Sequence, residues 1–247
     1  MTTPGAERSG LTRLEYVAIG AAAVSLAFAF FTPPEVTQGQ VARLFYLHIP
    51  SIAAAYLAFF ASLIASVVYL VTKRRAWDSL AVATAEVGVL FTFFTILVGM
   101  IWAKPTWGVY WTWSPRLTLT AIMLFVYIGY LALRRAIQDP QSRARTSAIY
   151  ASLAIIQVPI VHFSVTWWAD IHQTATLARP DGMQMDGVLF AAFGVGMVAA
   201  MLGSVAMIWR RYELAEMEAV IESAASSGDL ELAGDAVSAP RLAGGHS

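Results

Sequence analysis

Histidine is the residue type in this chain best suited to bind a metal, and three of the four histidines lie near the ends of long apolar runs. His48 lies at the start of one run, His162 lies about one turn before the end of another, and His172 follows shortly after it. His246 lies in a polar tail and is not a candidate. An ionisable side chain at membrane depth is costly and by default suggests function. His48 and His162 are therefore candidate ligands.

Tryptophan is concentrated near the same ends of the apolar runs. Six of the eight tryptophans belong to this group, and four of them fall within twelve residues: Trp102, Trp107, Trp111, Trp113, Trp167 and Trp168. An aromatic belt would place tryptophan at both membrane interfaces and does not predict six against two. Large flat rings on one loop favour a large flat apolar ligand, through stacking and buried area.

Two imidazoles beside a tryptophan-rich loop fit an iron porphyrin better than zinc. Zinc requires three or four protein ligands, and although Asp170 and His172 could join His162, the chain has no HExxH spacing and no cysteine. A porphyrin fills four coordination positions, so two axial histidines suffice. Its propionates require cations, for which the candidates are Arg43, Lys104, Arg116 and Arg179. The lack of cysteine also excludes covalent haem attachment by this chain.

The elements that must position these residues are membrane-spanning helices. Of the 247 residues, 58% are hydrophobic and 13% are charged, which argues against a water-soluble enzyme, a disordered chain and a nucleic-acid binder. Six continuous apolar runs are long enough to span a bilayer: 14–32, 50–72, 79–102, 117–133, 147–166 and 187–209. The sequence predicts an all-α polytopic bundle of six transmembrane helices.

Lysine and arginine predict the orientation of these helices. Eleven basic residues fall on one side, namely Arg8, Arg13, Lys73, Arg74, Arg75, Arg134, Arg135, Arg143, Arg145, Arg210 and Arg211, and four fall on the other. The positive-inside rule therefore places both termini in the cytoplasm. The external loops are predicted near 33–49, 103–116 and 167–186. We expect a multi-pass membrane protein with its candidate site on the extracytoplasmic side.

The chain is predicted to have two parts, a membrane domain over 1–211 and a cytoplasmic tail over 212–247. The tail is rich in Ala, Ser, Gly and acidic residues, so we expect a frayed helix end followed by disorder. The chain has no glycine-rich phosphate loop, and ATP hydrolysis by this chain is not expected. We predict a binding protein and not an enzyme.

Several residues inside the spans predict local features. Glu86 is expected to pair with a polar group of a neighbouring helix, with a proton relay as the alternative. Pro159 should kink the fifth helix just before His162, and Pro50 suits a helix start. Four glycines are expected to permit close helix packing: Gly88, Gly99, Gly194 and Gly196.

Three segments in this order resemble the cytochrome c maturation protein C family of bacterial cytochrome c biogenesis system I. AEVGVLFTFFTILVGMIWAKPTWGVYWTWSPRLT (85–118) resembles the third span and tryptophan-rich "WWD" loop of that family. RLFYLHIPS (43–51) is similar to its first haem-ligand segment, and VPIVHFSVTWWADIHQ (158–173) is similar to its second. The resemblance covers residues 35–175.

The resemblance implies non-covalent haem b at the outer face, with His48 and His162 as the axial ligands of the iron. It assigns the haem platform to Trp107, Gly108, Trp111, Trp113 and Arg116, with Trp167, Trp168 and His172 in a second motif. It also implies partners: an ATP-binding subunit, a second membrane subunit, a small one-span subunit and a periplasmic haem chaperone. A nucleic acid is not among them.

The chain departs from the family at Ser114, where the family usually has an acidic residue. Ser114 can accept a hydrogen bond but carries no charge. Two other functions stay open: a permease subunit that moves haem across the membrane in an ABC-type transporter, and a b-type electron-transfer cytochrome. The first needs a polar path through the bilayer, and the second often uses four histidines for two haems.

Overall fold

The protein is a bundle of helices. The computed structural model describes residues 10–168, 171–172 and 187–226, and these form helices with one isolated bridge between Glu35 and Gly39. In chain order the helices are α1 (Arg13–Phe31), a 3₁₀ turn (Gln40–Leu44), α2 (Phe45–Thr72), α3 (Arg75–Trp107), α4 (Pro115–Ala136), α5 (Pro140–Ala154), α6 (Gln157–Trp167) and α7 (Gly187–Ser226).

Six helical units among the described residues are long and apolar enough to span a membrane, with α5 and α6 together forming the fifth. This confirms the predicted all-α, six-span bundle. Backbone N–H and C=O groups in lipid must be satisfied within each segment, which explains why such continuously apolar runs form helices. The N-in/C-in orientation stays a prediction.

The centre of the bundle is the antiparallel pair α2 and α3, whose register is set by two rings that each lie on a glycine. Phe59 of α2 occupies the space that a Cβ on Gly88 would need. The His48 ring occupies the corresponding space at Gly99. Both pairs have residue numbers that sum to 147, as one antiparallel register requires. Phe59 also stacks on Tyr127 of α4, with ring centroids 3.6 Å apart.

The prediction that four glycines permit close helix packing is confirmed at three positions. Gly88 and Gly99 receive the rings described above, and a Cβ on Gly196 of α7 would lie 2.8 Å from the carbonyl oxygen of Tyr46. Pro50 has no N–H to bond that carbonyl four residues earlier, so α7 can approach it. The prediction is wrong for Gly194, where a Cβ would meet nothing within 4 Å.

The two prolines behave differently. Pro159 does interrupt the fifth span as predicted, because it has no N–H to donate to the carbonyl of Ile155. The chain forms a turn at Ile155 and Ile156, and Val158 N–H bonds the Ile155 oxygen at 3.0 Å instead. The prediction that a helix starts at Pro50 is wrong, because α2 begins five residues earlier, at Phe45.

The end of the bundle that carries most of the lysines and arginines, which we call the basic end, is joined by ion pairs between helices. Arg134 of α4 makes two hydrogen bonds to Asp78 of α3, at 2.6 and 2.8 Å. Glu86 is bound by Arg211 of α7 through two hydrogen bonds, which confirms the predicted pairing with a neighbouring helix. These arginines therefore have structural partners in addition to any role in orientation.

The helix end that was expected to fray after residue 211 is instead ordered, because α7 continues as a helix to Ser226. Ion pairs hold this extension against the bundle: Arg143 of α5 makes two hydrogen bonds to Glu222, and Arg75 of α3 contacts Glu216 at 3.4 Å. The acidic composition that suggested disorder instead supplies partners for the arginines. Residues 227–247 lie outside the described part.

We predict that the Asp78–Arg134 pair contributes much more to stability than the Arg75–Glu216 pair. The first pair is 14% and 12% exposed, so Arg134→Ala leaves a carboxylate desolvated and should lower the free energy of unfolding by about 3 kcal/mol. Arg75 is 50% exposed, so the matched control Arg75→Ala should cost less than about 1 kcal/mol. Unfolding in mixed micelles measures both, and equal losses would contradict the prediction.

Candidate functional site

The predicted site residues that the structure describes lie around one end of the bundle, which we call the tryptophan end. Here α3 and α6 terminate while α2 and α4 begin. Short connections between antiparallel helices explain how residues far apart in sequence meet at this end. The tryptophan end thus contains both candidate histidines and the loop between Trp107 and Pro115.

His48 lies in the first turn of α2, between α2 and α3. A Cβ on Gly99 would lie 2.9 Å from its Cε1 atom, so the imidazole uses the space that glycine leaves. The ring also meets Trp102 edge-on, with centroids 5.8 Å apart. Its Nδ1 atom is buried and has no hydrogen-bond partner. The ring is therefore held firmly, with a nitrogen that the protein leaves unsatisfied.

His162 lies on α6, about one turn after Pro159. Its side chain is exposed, and its ring lies 6.3 Å from the ring of Tyr56 and 5.0 Å from that of Phe163. Tyr56 belongs to α2, two turns after His48. The same helix therefore carries one candidate ligand and contacts the other.

The tryptophan loop begins where glycine ends α3. Gly108 has φ of +80°, a left-handed conformation that residues with a Cβ rarely adopt, and its N–H bonds the carbonyl of Lys104 at 2.9 Å. The Lys104 ammonium in turn donates to the Gly108 carbonyl at 2.8 Å. Trp107 and Gly108, both predicted site residues, thus determine where the helix stops and how the loop turns.

Trp111 and Trp113 meet edge-on, with centroids 5.9 Å apart. Trp113 is 83% exposed, whereas the indole nitrogen of Trp111 is buried without a partner. Three hydroxyls close to it in sequence are also buried without partners: Thr112, Ser114 and Thr118. Buried polar atoms normally have partners, so this segment is where a polar ligand or ordered water is expected.

Ser114 is the N-cap of α4 but makes no capping hydrogen bond through its side chain. The residue that departs from the family pattern therefore leaves the first N–H groups of α4 without that side-chain acceptor. Helix N-termini favour negative charge. Ser114 adds no negative charge to this end of α4.

The second tryptophan motif lies beyond the end of α6. Trp167 and Trp168 are 56% and 48% exposed, and Trp167 packs beside Phe163 at 5.8 Å. His172 packs edge-on against Trp107 of the first loop, with centroids 4.9 Å apart. The contact between His172 and Trp107 brings the two motifs together.

The basic residues proposed for the propionates have different surroundings. Arg116 of α4 donates to the backbone carbonyl of His162 at 3.0 Å, which joins α4 to α6 beside the candidate ligand. Arg43 donates to the carbonyl of Thr32 at 2.7 Å and lies over the Phe30 ring, so it is bound to the end of α1. Arg179 lies outside the described residues.

Sequence reasoning missed two residues of this end. Tyr56 of α2 lies two turns after His48 and contacts His162 of α6. Its spacing from His48 is the signal in the sequence that could have indicated it. Gln38 accepts a hydrogen bond from the Trp102 indole at 2.8 Å and fixes the ring that contacts His48. No sequence pattern indicated Gln38, because the contact crosses 64 residues.

The alternative of a zinc site gains no support from the described residues. Within residues 10–168, 171–172 and 187–226, no three His, Cys, Asp or Glu side chains come together as metal ligands. Asp170, which the zinc hypothesis required, lies outside these ranges. A ligand that needs only two axial imidazoles fits the described donors better.

Comparison with known proteins gives one consistent family. Residues 7–226 match the sequence profile of the family described as "Heme exporter protein C". A relative of that name from Bradyrhizobium diazoefficiens is 35% identical over 164 residues, which cover 66% of this chain and 62% of the relative. The Escherichia coli K12 protein of that name is 33% identical over 175 residues, covering 70% of this chain and 71% of that one.

A third relative, from Marchantia polymorpha, is described as a putative cytochrome c biosynthesis ccmC-like mitochondrial protein. It is 34% identical over 147 residues, which cover 60% of this chain and 62% of the relative. The matches thus span about three fifths of the length of the Bradyrhizobium and Marchantia proteins. Because the family profile matches most of the chain, this protein belongs to the heme exporter protein C family.

Proposed function

We propose that this chain is a haem-handling membrane protein of cytochrome c biogenesis that binds haem b without a covalent bond at the tryptophan end. His48 and His162 supply the axial ligands, and the haem is loaded onto a periplasmic haem chaperone. The tryptophan end faces the extracytoplasmic side of the bacterial inner membrane. The ATP-binding subunit, the second membrane subunit and the small one-span subunit are its partners.

The observation that carries this proposal is the buried, unsatisfied Nδ1 atom of His48 at the same end of the bundle as His162. A buried polar atom without a partner is costly, and an axial bond from this nitrogen to iron would give it one. Tyr56 lies beside His162 and belongs to the same helix as His48, which supports a joint role for the two histidines.

The tryptophan loop supports a flat ligand. Trp113 presents an exposed ring, and the Trp111 indole and the Thr112 hydroxyl have unused hydrogen-bonding capacity. Arg116 lies beside His162 and can offer a charged donor to a propionate, where a planar guanidinium binds a carboxylate through two hydrogen bonds. Haem would thus be held through its iron by the two histidines, through its flat face by the tryptophan loop, and through a propionate by Arg116.

The two histidines differ in a way that suits transfer. His48 is enclosed by Gly99 and Trp102, whereas His162 is exposed on the short helix α6 that follows a break. Two axial imidazoles saturate the iron and suppress oxygen chemistry. Release to an acceptor requires the exchange of one ligand, and His162 is the ligand that an acceptor can reach.

The alternative function, a permease subunit that moves haem through the bilayer, requires a polar path. Glu86, an acidic residue inside a span, could line such a path, but in the structure it is bound by Arg211. ATP-dependent uptake of haem by vesicles would favour the permease over loading at the outer face. A b-type electron-transfer role would instead show rapid reduction by quinol in stopped-flow spectroscopy.

We expect His48→Ala and His162→Ala each to abolish the bis-histidine absorption spectrum of the detergent-purified protein and to lower retained haem at least about tenfold, which corresponds to about 1.4 kcal/mol. Added imidazole should restore the spectrum of each variant by replacing the lost ligand. His246→Ala is the matched control and should leave the spectrum unchanged. Normal spectra and haem content in both variants would refute the ligand assignment.

A second prediction tests the position of His48 without removing it. In Gly99→Ala the new methyl group lies 2.9 Å from the His48 Cε1 atom, so the ring must move. Haem retention should fall, and the free energy of unfolding should drop by about 1–3 kcal/mol. Gly203→Ala is the matched control, because a Cβ there meets nothing within 4 Å. Haem content equal to that of the control would contradict the proposed position.

A further inference from the structure

The connection between α1 and the 3₁₀ turn contains a closed turn over residues 35–39, which we call the Glu35 turn. Glu35 and Gly39 exchange two backbone hydrogen bonds, at 3.2 and 2.8 Å. The chain can close in this way because Gly39 has φ of +61°, a left-handed conformation that glycine adopts without steric cost. The Glu35 turn therefore has a defined shape of its own.

The carboxylate of Glu35 organises the inside of this turn. Its Oε2 atom accepts the backbone N–H groups of Thr37, at 2.8 Å, and of Gln38, at 2.6 Å. These hydrogen bonds, that of Gln38 foremost, hold the pKa of the Glu35 carboxyl below its ordinary value, so the group is charged at neutral pH. Hydrogen bonds to a charged acceptor are strong, and here they determine how Gln38 leaves the turn.

The Glu35 turn is tied to the bundle on two sides. On one side, the guanidinium of Arg43 donates to the carbonyl of Thr32 at 3.2 and 2.7 Å, which joins the end of α1 to the 3₁₀ turn before α2. On the other side, the amide oxygen of Gln38 accepts the indole N–H of Trp102 of α3 at 2.8 Å. A buried indole normally needs such an acceptor, and the turn supplies it.

Trp102 extends this constraint to His48. Gly99 and Trp102 are three residues apart, so they lie on one face of α3. The His48 ring uses the space at Gly99 and meets the Trp102 ring edge-on, with centroids 5.8 Å apart. Gly99 only leaves space for the imidazole, whereas the indole limits how the imidazole can turn within that space.

We infer that the Glu35 turn is a positioning element for His48, which acts through the Gln38 amide and the Trp102 indole. This role rests on the proposed function, in which His48 is an axial ligand. Histidines that bind metals depend on the groups around them for the orientation of the ring. A connection that only joined α1 to α2 would not need a hydrogen bond to α3 across 64 residues.

The variant Gln38→Leu removes the acceptor at similar size. The half-buried Trp102 N–H then loses its partner, which is costly, so we expect the indole to turn toward water and to leave His48 less enclosed. Gln38→Glu keeps an oxygen acceptor and should restore the wild-type behaviour. Gln40→Leu is the matched control, because Gln40 is exposed two residues further along the chain.

The variant Glu35→Ala tests the first link between the turn and His48. It removes the acceptor of two backbone N–H groups, so Gln38 loses its fixed direction and the effect should equal that of Gln38→Leu. Val36→Ala is the matched control within the same turn, because the Val36 side chain is fully exposed.

The first measurement needs no haem. Diethyl pyrocarbonate modifies neutral imidazole, and mass spectrometry of the full-length protein from haem-starved cells gives separate rates for His48 and His162. We expect the ratio of the His48 rate to the His162 rate to rise about tenfold in Gln38→Leu and Glu35→Ala, as the loss of one buried hydrogen bond allows. Gln38→Glu and both controls should keep the wild-type ratio. An unchanged ratio, or an equal rise at both histidines through general loosening, would overturn the inference.

The second measurement is the ferric absorption spectrum of the haem-loaded protein. Because His48 is then held less firmly, Gln38→Leu and Glu35→Ala should show a high-spin fraction that added imidazole removes, while the controls stay bis-histidine. Wild-type spectra in both variants would also overturn the inference. A wild-type protein without a bis-histidine spectrum contradicts the proposed function alone, since the reactivity ratio still decides whether the turn positions His48.

Discussion

The close packing of α2 against α3 is the interaction on which the rest of the structure depends. Two glycines of α3, eleven residues apart, receive two rings of α2 that are also eleven residues apart. Eleven residues make about three helical turns, so both contacts lie on one face and define a single register. One contact, Phe59 on Gly88, belongs to the core, and the other, His48 on Gly99, belongs to the candidate site. The position of His48 is therefore a consequence of how the bundle packs.

The second histidine depends on a different constraint. A proline inside a membrane helix removes a backbone hydrogen bond that lipid cannot replace. Here the chain responds with a turn at Ile155 and Ile156, after which α6 begins at Gln157. His162 then lies beside Tyr56, and its own carbonyl is held by Arg116. One candidate ligand thus comes from the most tightly packed helix pair, and the other comes from a short helix that follows a turn.

The charged residues of the basic end show how composition can mislead. The acidic residues after residue 211 resemble those of a disordered tail, yet Glu216 and Glu222 bind arginines of α3 and α5. From the sequence alone, the arginines indicate orientation and the glutamates indicate disorder. Their pairing, across more than 70 residues of sequence, explains why α7 continues as an ordered helix to Ser226.

The sequence by itself determined the helical class, the six spans, the break at Pro159 and the candidate residues His48, His162 and the tryptophans, because these follow from local composition and spacing. Continuous apolar runs of sufficient length have no other stable form in lipid. The tertiary structure alone decided which residues meet: Gly99 with His48, Tyr56 with His162, Gln38 with Trp102, and Glu222 with Arg143. Such contacts depend on the register and rotation of whole helices, which are set by the sum of many weak packing contacts and not by any local pattern.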